Sequence, residues 1–449
     1  MVNLYFQPDA QLTAPDRMVL DVLQRESLQY SGRSLNVTSS AIDQPAAKLT
    51  RLDSLSPEGM DTQDHAEQTI NCLKRLNDPS SDIFEPTIFV SYDYRDIKNR
   101  FLRKYILEPY VRLGRSVVRV DTDVVMFTHL ILYMCTSIPS ALYLFLCNFS
   151  WWHGVLHFIM QIYYMGSYTL MMHQHIHMRG ILKPKFVVID RLFPYITDPL
   201  MGHTWNSYYF HHVKHHHVEG NGPEDLSSTV RYQRDDVWNF LHYVGRFYFL
   251  IWLDLPRYFL AKKKYGLACK AGSSEMVNYF ALYILFRLDP RPTICVFLLP
   301  LAIMRLGLMI GNWGQHAFVD DVSPTSDFRS SITLIDVASN RYCFNDGYHT
   351  SHHLNPLRHW RDHPVAFLSQ HKQYSDEQAL VFYNIDYLMI TFNLLWKNYM
   401  HLAHCLVPIG KQQSNMSIEE RAAMLKRKTK RFTEAEIAKK WGKQYARSS

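Results

Sequence analysis

Residues 151–177 read WWHGVLHFIMQIYYMGSYTLMMHQHIH, an apolar run that ends in two histidines four positions apart. As a helix, the apolar part is long enough to cross a hydrocarbon core of about 30 Å. A histidine pair at i and i+4 after that run lies on one helix face at the membrane surface. The stretch therefore predicts a membrane helix that carries metal-ligating groups to one side of a bilayer.

Three further polar clusters follow segments of membrane length or interfacial character: His211-His-Val-Lys-His-His-His217, Asn312-Trp-Gly-Gln-His316 and His349-Thr-Ser-His-His353. Neutral imidazole is a good ligand for iron. Of the twelve histidines in the four clusters, nine are candidate ligands. Nine ligands are too many for one ion, whereas two ions can each use four or five. In the second cluster the register stays open between His212, His215, His216 and His212, His216, His217. The spacing predicts a two-metal centre.

The apolar segments predict how the chain crosses the membrane. Basic residues between Arg95 and Arg119 precede the first of them and mark the cytosolic side. A third apolar stretch, Val237 to Leu260, contains charges and is expected to lie in the interface. The expected spans, which bring all four clusters to the cytosolic face, are 124–147, 151–172, 275–288 and 293–311.

Composition agrees with one membrane-embedded unit that has polar ends. The chain has 449 residues, of which 14% are aromatic, and its mean hydropathy is -0.19. The net charge of +7 is modest, and no basic stripe is interleaved with aromatics, so nucleic acid is not expected as a partner. The seven cysteines are scattered and never spaced as CxxC, which predicts free thiols in a reducing compartment.

The predicted fold class is all-α, a multi-pass membrane helical protein. Residues 1–90 are expected to be a mostly disordered polar arm without a cleavable signal peptide, and 91–123 a basic helical region before the membrane. Residues 124–408 form the expected membrane-embedded catalytic domain. Residues 409–449 are expected to be a basic, solvated helical tail that opens with a capping box, Ser417 to Glu420.

The four clusters, taken together, resemble the membrane-bound fatty acid desaturase and hydroxylase superfamily. The resemblance is greatest to the integral-membrane alkane hydroxylases, or alkane monooxygenases, and covers about residues 120–365. After the second cluster come Pro223-Glu-Asp225 and Ser227-Ser228, as in those enzymes. The last cluster is framed in the same way, by Asn340-Arg341, Phe344-Asn345 and Asn355-Pro356.

The resemblance implies a di-iron centre that uses dioxygen to oxidise an unactivated C–H bond of a fatty acyl or alkyl chain. Hydroxylation is favoured over desaturation. Asn312 matches an asparagine that approaches one metal through water in the stearoyl-CoA desaturase branch, and His215 is the second candidate catalytic residue. The implied iron ligands are His173, His177, His212, His216, His217, His316, His349, His352 and His353.

The implied partners are the lipid substrate, the endoplasmic reticulum membrane and a separate electron donor. No His-Pro-Gly-Gly haem motif occurs in the sequence, so cytochrome b5, ferredoxin or rubredoxin is expected to act as a separate protein with its reductase. Some positions depart from the hydroxylase pattern and put the substrate and the reaction outcome in doubt: Gln174 and Gln315 replace Glu, Ala317-Phe318 replaces Tyr-Gly, and His215 replaces Gly.

Metal-bound imidazoles need an anchor for their second ring nitrogen. The anchors expected from their position near the clusters are Glu224, Asp225, Asp320, Asp336, Asn345 and Asp346, although helix capping is an equal alternative. Two other classes of protein remain open at this point. A metal transporter places its ionisable groups inside the spans, and a zinc lipid hydrolase usually has a carboxylate base among its ligands.

Overall fold

The computed structural model describes residues 9–30 and 62–446, which are mostly helical. Several long helices form hairpins, and shorter ones surround the ends of these hairpins. The main helices are α1 Ala14–Tyr30, α2 Thr62–Asn77, α3 Glu108–Val117, α4 Val124–Leu146, α5 Trp151–Met178, α6 Val187–Leu200, α7 Val237–Ala261, α8 Tyr265–Leu288, α9 Pro290–Gln315, α10 His349–Leu354, α11 His363–Ser369, α12 His371–Asp376, α13 Tyr387–Leu395, α14 Tyr399–Cys405, α15 Gly410–Ser414, α16 Ile418–Lys428 and α17 Glu434–Lys440.

Two helical hairpins occur where the apolar segments predict them. A short turn joins α4 to α5, and α5 continues to Met178, so the first histidine cluster lies within the helix. Asp289 separates α8 from α9 and caps the second of these helices by accepting a hydrogen bond from the Arg291 amide. In the described part of the chain, α4 and α9 are long and apolar enough to span a membrane.

The segment expected to lie in the interface forms one continuous helix, α7, which packs against α8 and α9. Asp236 caps its first turn by accepting from the Asn239 amide. The aromatic side chains of Phe240 and Tyr243 pack there with Trp313, near the end of α9. This contact places the start of α7 beside the third cluster.

A small sheet departs from the all-α class. Strand β1, Ile332–Ile335, pairs in parallel with β2, Leu380–Tyr383, and β2 pairs antiparallel with β3, Leu406–Val407. Both longer strands are four-residue apolar runs rich in β-branched or aromatic residues, which favour an extended backbone. Runs of this length are too short to show the period of a helix. The sheet lies between two apolar cores and supports the segment that leads to the fourth cluster.

The N-terminal region differs from the expected disordered arm wherever the structure describes it. Helix α1 buries Val19, Leu20 and Leu23 in a core that also contains Phe367 of α11. Helix α2 packs against both α1 and α11. These contacts join residues far apart in sequence, so local composition does not reveal them. Residues 1–8 and 31–61, which are also part of the expected arm, lie outside the described residues.

The C-terminal segment differs from the expected solvated tail. The predicted capping box is confirmed: Ser417 and Glu420 each accept the other's backbone N–H. Helix α16 buries Leu425 completely, and Lys428 forms an ion pair with Asp320 at 2.5 Å. The segment is basic in composition, but one face of α16 is apolar and packs on α14. The tail is therefore part of the folded unit up to residue 446.

Candidate metal centre

The first cluster occupies the last turns of α5. His173 and His177 are both buried, and their ring centroids are 4.8 Å apart, as expected for i and i+4 on an α-helix. His175 points elsewhere, and its Nε2 atom lies 3.0 Å from the Asp190 carbonyl oxygen. Helix α5 ends at Met178, and the next residue, Arg179, has a left-handed conformation.

The second cluster begins on a π-helix, Tyr209–His216, and this geometry determines which of its rings lie close together. The hydrogen bonds of a π-helix run between residues five apart, and its wider turn brings residues i and i+5 close to the same face. His212 and His217 consequently share one face, with their Nε2 atoms 3.0 Å apart. His216 is rotated toward a different set of imidazoles and has a ring centroid 5.4 Å from that of His316. The i, i+4 spacing of an α-helix does not predict this separation of His212 and His217 from His216.

The fourth cluster divides in the same way. Helix α10 carries His349 and His353 on one face, with Nε2 atoms 3.1 Å apart. His352 points to the other side, where its Nε2 atom lies 2.8 Å from that of His217 and 3.0 Å from that of His173. One short helix therefore contributes to two neighbouring groups.

The nine predicted ligands form two groups of imidazoles. The five-histidine group, whose ligand atoms all lie within 4.8 Å of one another, consists of His173, His177, His212, His217 and His352. The four-histidine group consists of His216, His316, His349 and His353. The two groups are adjacent, since the ring centroids of His217 and His353 are 5.2 Å apart.

The two groups fit metal ions better than they fit a network of hydrogen bonds. Burial and neighbouring imidazoles hold the pKa of His349 and of His352 well below the ordinary value, so these rings are neutral. A neutral ring has one N–H, and the crowded Nε2 atoms have few partners outside their own groups. The Nε2 atoms of His177 and His216 are buried and have no hydrogen-bond partner. Lone pairs that converge in this way suit imidazole-ligated iron.

Asp225 contacts a candidate ligand directly. Its Oδ2 atom lies 2.7 Å from His216 Nδ1, and its side chain is fully buried. A proton on Nδ1 that donates to this carboxylate leaves the Nε2 lone pair of His216 free for a metal ion. Of the anchors expected from sequence, Asp225 is the one that the structure places against a predicted ligand.

Two other anchors were missed by the sequence analysis. His316 Nδ1 lies 3.1 Å from the Ser330 carbonyl oxygen, and His353 Nδ1 lies 3.6 Å from an oxygen of Asp327. Both partners belong to the short helix Asp327–Ser330 before β1, which the tertiary fold brings beside the centre. No motif in that segment marks these residues.

The remaining expected anchors have partners away from the nine histidines. The contacts are Glu224 with Lys262, Asp320 with Lys428, Asp336 with the Ser339 amide, Asp346 with Gln315, and Asn345 with the Trp360 carbonyl. Asp336 is a helix cap, the alternative stated for this group of residues.

The two candidate catalytic residues lie beside the centre. Asn312 donates from its amide to the Tyr243 hydroxyl at 2.7 Å and to the Ser227 carbonyl at 2.9 Å, and its role next to a metal stays a prediction. His215 is fully buried, and its Nε2 atom accepts from the Leu226 amide at 2.8 Å. His215 thus supports the loop that follows the second cluster.

A third set, His211, His215 and Asp225, also brings its potential ligand atoms together. Its hydrogen bonds argue against a third ion. Because His215 Nε2 accepts from Leu226, the proton of that ring is on Nδ1, and no lone pair is left for a metal. The Asp225 oxygens are already engaged by His216, by the Asn221 amide, and by the amide and hydroxyl of Ser227.

The histidine arrangement agrees with the comparison to known families. The family model described as fatty acid desaturase matches residues 149–385, more than half of the chain, and this region contains all four clusters. The chain belongs to the fatty acid desaturase family. Membership makes it an oxidoreductase that acts on fatty acids. No curated protein and no solved structure matches the chain.

Paired substitutions in the second cluster test the division made by the π-helix. We expect His217→Ala to lose bound iron, because it removes one member of the five-histidine group. His215→Gly is expected to keep its iron and substantial activity, with lower stability, because it removes only the acceptor for Leu226. Metal analysis of both purified variants distinguishes the registers. Iron loss in His215→Gly with retention in His217→Ala would favour His212, His215 and His216.

Proposed function

We propose that this desaturase-family member is a membrane-embedded di-iron enzyme that oxidises an unactivated C–H bond of a fatty acyl or alkyl chain, with a hydroxylated product. The observation that carries the proposal is the convergence of nine histidines, six of them buried and three partly buried, in two adjacent groups. Two iron ions bound there would supply activation of dioxygen and abstraction of hydrogen from carbon. A single structural zinc ion needs only four ligands.

The protein contributes orientation and exclusion of water. Asp225 fixes the ring of His216, and the Ser330 carbonyl fixes that of His316. His349 and His352 are each 3% exposed, so a bound metal would be shielded from bulk solvent. A centre that handles reactive oxygen species needs this shielding to prevent side reactions. Asn312 is held near the centre, where a water-mediated contact to one metal is proposed.

The surface of the long helices supports a membrane location. On α5, Trp152 is 71% exposed and Tyr163 is 74% exposed, and on α8, Phe280 is 66% exposed. Apolar side chains this exposed along neighbouring helices suit a lipid environment. We propose a multi-pass protein of the endoplasmic reticulum with the histidines on the cytosolic face, where the basic segment 95–119 also lies. A separate cytochrome b5, ferredoxin or rubredoxin would supply electrons.

Desaturation is the second candidate outcome. The residues around the second and fourth clusters resemble the alkane hydroxylases, whereas the family match is to fatty acid desaturases. Both reactions begin with the same hydrogen abstraction. They diverge according to whether the carbon radical gains oxygen or loses a second hydrogen, which depends on substrate placement to about an ångström.

Isotopically labelled dioxygen decides between these outcomes. The chain is expressed with a reductase source under the labelled gas, and cellular lipids are analysed by mass spectrometry. We expect the label to appear in a fatty acyl or alkyl product and to be missing from cells that express His352→Ala. A product that has lost two hydrogens and contains no label would show desaturation instead. Fatty acid release without oxidation would indicate a hydrolase and contradict both candidates.

A further inference from the structure

Helix α1 packs directly on the segment that carries the fourth cluster. The two are more than 300 residues apart in sequence, yet Val19 and Leu23 of α1 share a buried core with Tyr348 and with Ile335 of β1. Tyr348 immediately precedes His349 and is fully buried. The N-terminal helix is therefore close to the metal centre, although it contributes no candidate ligand.

Asp16 is the polar contact in this interface. Its carboxyl group is fully buried, and its Oδ1 atom accepts from the Tyr348 hydroxyl at 2.8 Å and from the Asn340 amide at 3.0 Å. Its Oδ2 atom accepts from the Thr13 hydroxyl at 2.6 Å. Three donors thus converge on one carboxyl group inside an apolar core, which is a costly arrangement unless every partner is present.

The two long-range donors belong to the framework of the fourth cluster. The Tyr348 carbonyl accepts from the amide of His352, so Tyr348 is part of the first turn of α10. Asn340 also donates to the Leu334 carbonyl of β1. Leu334 in turn donates its own amide to the Gly347 carbonyl at 2.7 Å. Asp16 therefore links the segment before α10 to the strand behind it.

We propose that Asp16 is a positioning residue for the fourth histidine cluster and that the N-terminal helix is a working part of the metal centre. Asp16 holds Tyr348 and Asn340, and through them it sets the orientation of α10 and of its three histidines. This inference rests on the proposed function. An asparagine at position 16 retains an oxygen for Tyr348 and Asn340 and offers its amide to the Thr13 hydroxyl, whereas leucine satisfies none of the three donors.

The test compares Asp16→Leu, Asp16→Asn and a control, Asp21→Leu, in the full-length protein. Asp21 lies on the same helix, but its carboxylate is 47% exposed. Iron per chain and lipid oxidation are measured on the monodisperse detergent-solubilised fraction. We expect Asp16→Leu to lose about tenfold or more in iron affinity and activity, as removal of supports around metal ligands typically does. Asp16→Asn and Asp21→Leu are expected to remain close to wild type.

If Asp16→Leu does not yield folded protein, Tyr348→Phe replaces it, because it removes only the hydroxyl that donates to Asp16. Reduced iron in that variant, with an unchanged melting temperature of the iron-free protein, supports positioning rather than general stability. Wild-type iron and activity in Asp16→Leu, or in Tyr348→Phe where it is used, overturn this inference alone. A wild-type chain that binds no iron contradicts the proposed function and this inference with it.

Discussion

Replacing His349, His352 or His316 with alanine is expected to abolish lipid oxidation while the protein still inserts and folds. His352 belongs to the five-histidine group, and the other two belong to the four-histidine group. Because the proposed reaction needs both ions, loss of either group is expected to lower activity by more than about a hundredfold. This loss is larger than the effect of removing a support around a metal ligand. Each variant should retain iron in the group left intact, so metal content falls by roughly half. Lipid mass spectrometry and metal analysis provide the two measurements.

His404→Ala is the matched control for these three variants. His404 is exposed on α14, away from both groups, and its removal is expected to leave oxidation and iron content unchanged. Full activity in any one of the three ligand variants would refute the di-iron assignment. An inactive variant that holds wild-type iron would place that histidine outside the ligand set.

Arg234→Met is expected to cause the largest loss of stability. Arg234 is fully buried, and its guanidinium donates only to backbone carbonyls, which belong to Thr229, Tyr232, Ala317, Lys428 and Lys430. It thus connects the loop after the second cluster, the residue after His316 and the end of α16. The carbonyls of Thr229 and Lys428 keep a second donor, a backbone amide in each case. The other three are left without a donor at about 1–3 kcal/mol each, so a total loss of about 3 kcal/mol or more is expected.

Thermal unfolding in detergent, followed by tryptophan fluorescence, measures this effect. Arg231→Met is the control, since Arg231 is more exposed and pairs with Glu434. Arg234→Lys should fall between wild type and Arg234→Met, because one ammonium group has three donors and cannot reach all five carbonyls. If Arg234→Met has the melting temperature of the wild type, the stability of the C-terminal segment does not depend on Arg234.

Local patterns predicted the parts of the fold that local physics determines. The apolar runs gave the α4–α5 and α8–α9 hairpins, although α8 begins ten residues before its predicted start and α5 ends six residues after its predicted end. Ser417 with Glu420 gave the start of α16. The i, i+4 rule also gave the pairing of His173 with His177. In each case the interacting residues lie close together in sequence, so their spacing is enough to predict the contact.

The second cluster shows where local spacing was insufficient. An α-helical period does not choose between His215 and His217, and the choice follows from a π-helix that sequence propensity does not reveal. Asp327 was missed for a different reason. Its position beside His353 depends on how the chain between α9 and β1 folds over the centre.

The predictions of a disordered N-terminal arm and a solvated C-terminal tail were wrong because amino-acid composition shows how polar a segment is and not what it contacts. Residues 14–30 are rich in charged and polar residues, but one face of α1 is apolar and meets a core formed by α2 and by residues beyond position 320. The C-terminal segment has the same property, and Arg234 and Asp320 are among the residues that join it to the rest. In both cases the main residues on the other side of the contact lie far away in sequence. A short stretch of sequence therefore does not contain both sides of the contact.

Metal analysis of the purified, full-length protein is the most direct test of the two-group centre. The protein is prepared from iron-replete cells in mild detergent, and iron, zinc and manganese are quantified per chain by mass spectrometry. The nine histidines predict close to two iron ions per chain in the wild type and a stepwise loss in the ligand variants. One zinc ion per chain, with iron near background, would contradict the di-iron centre.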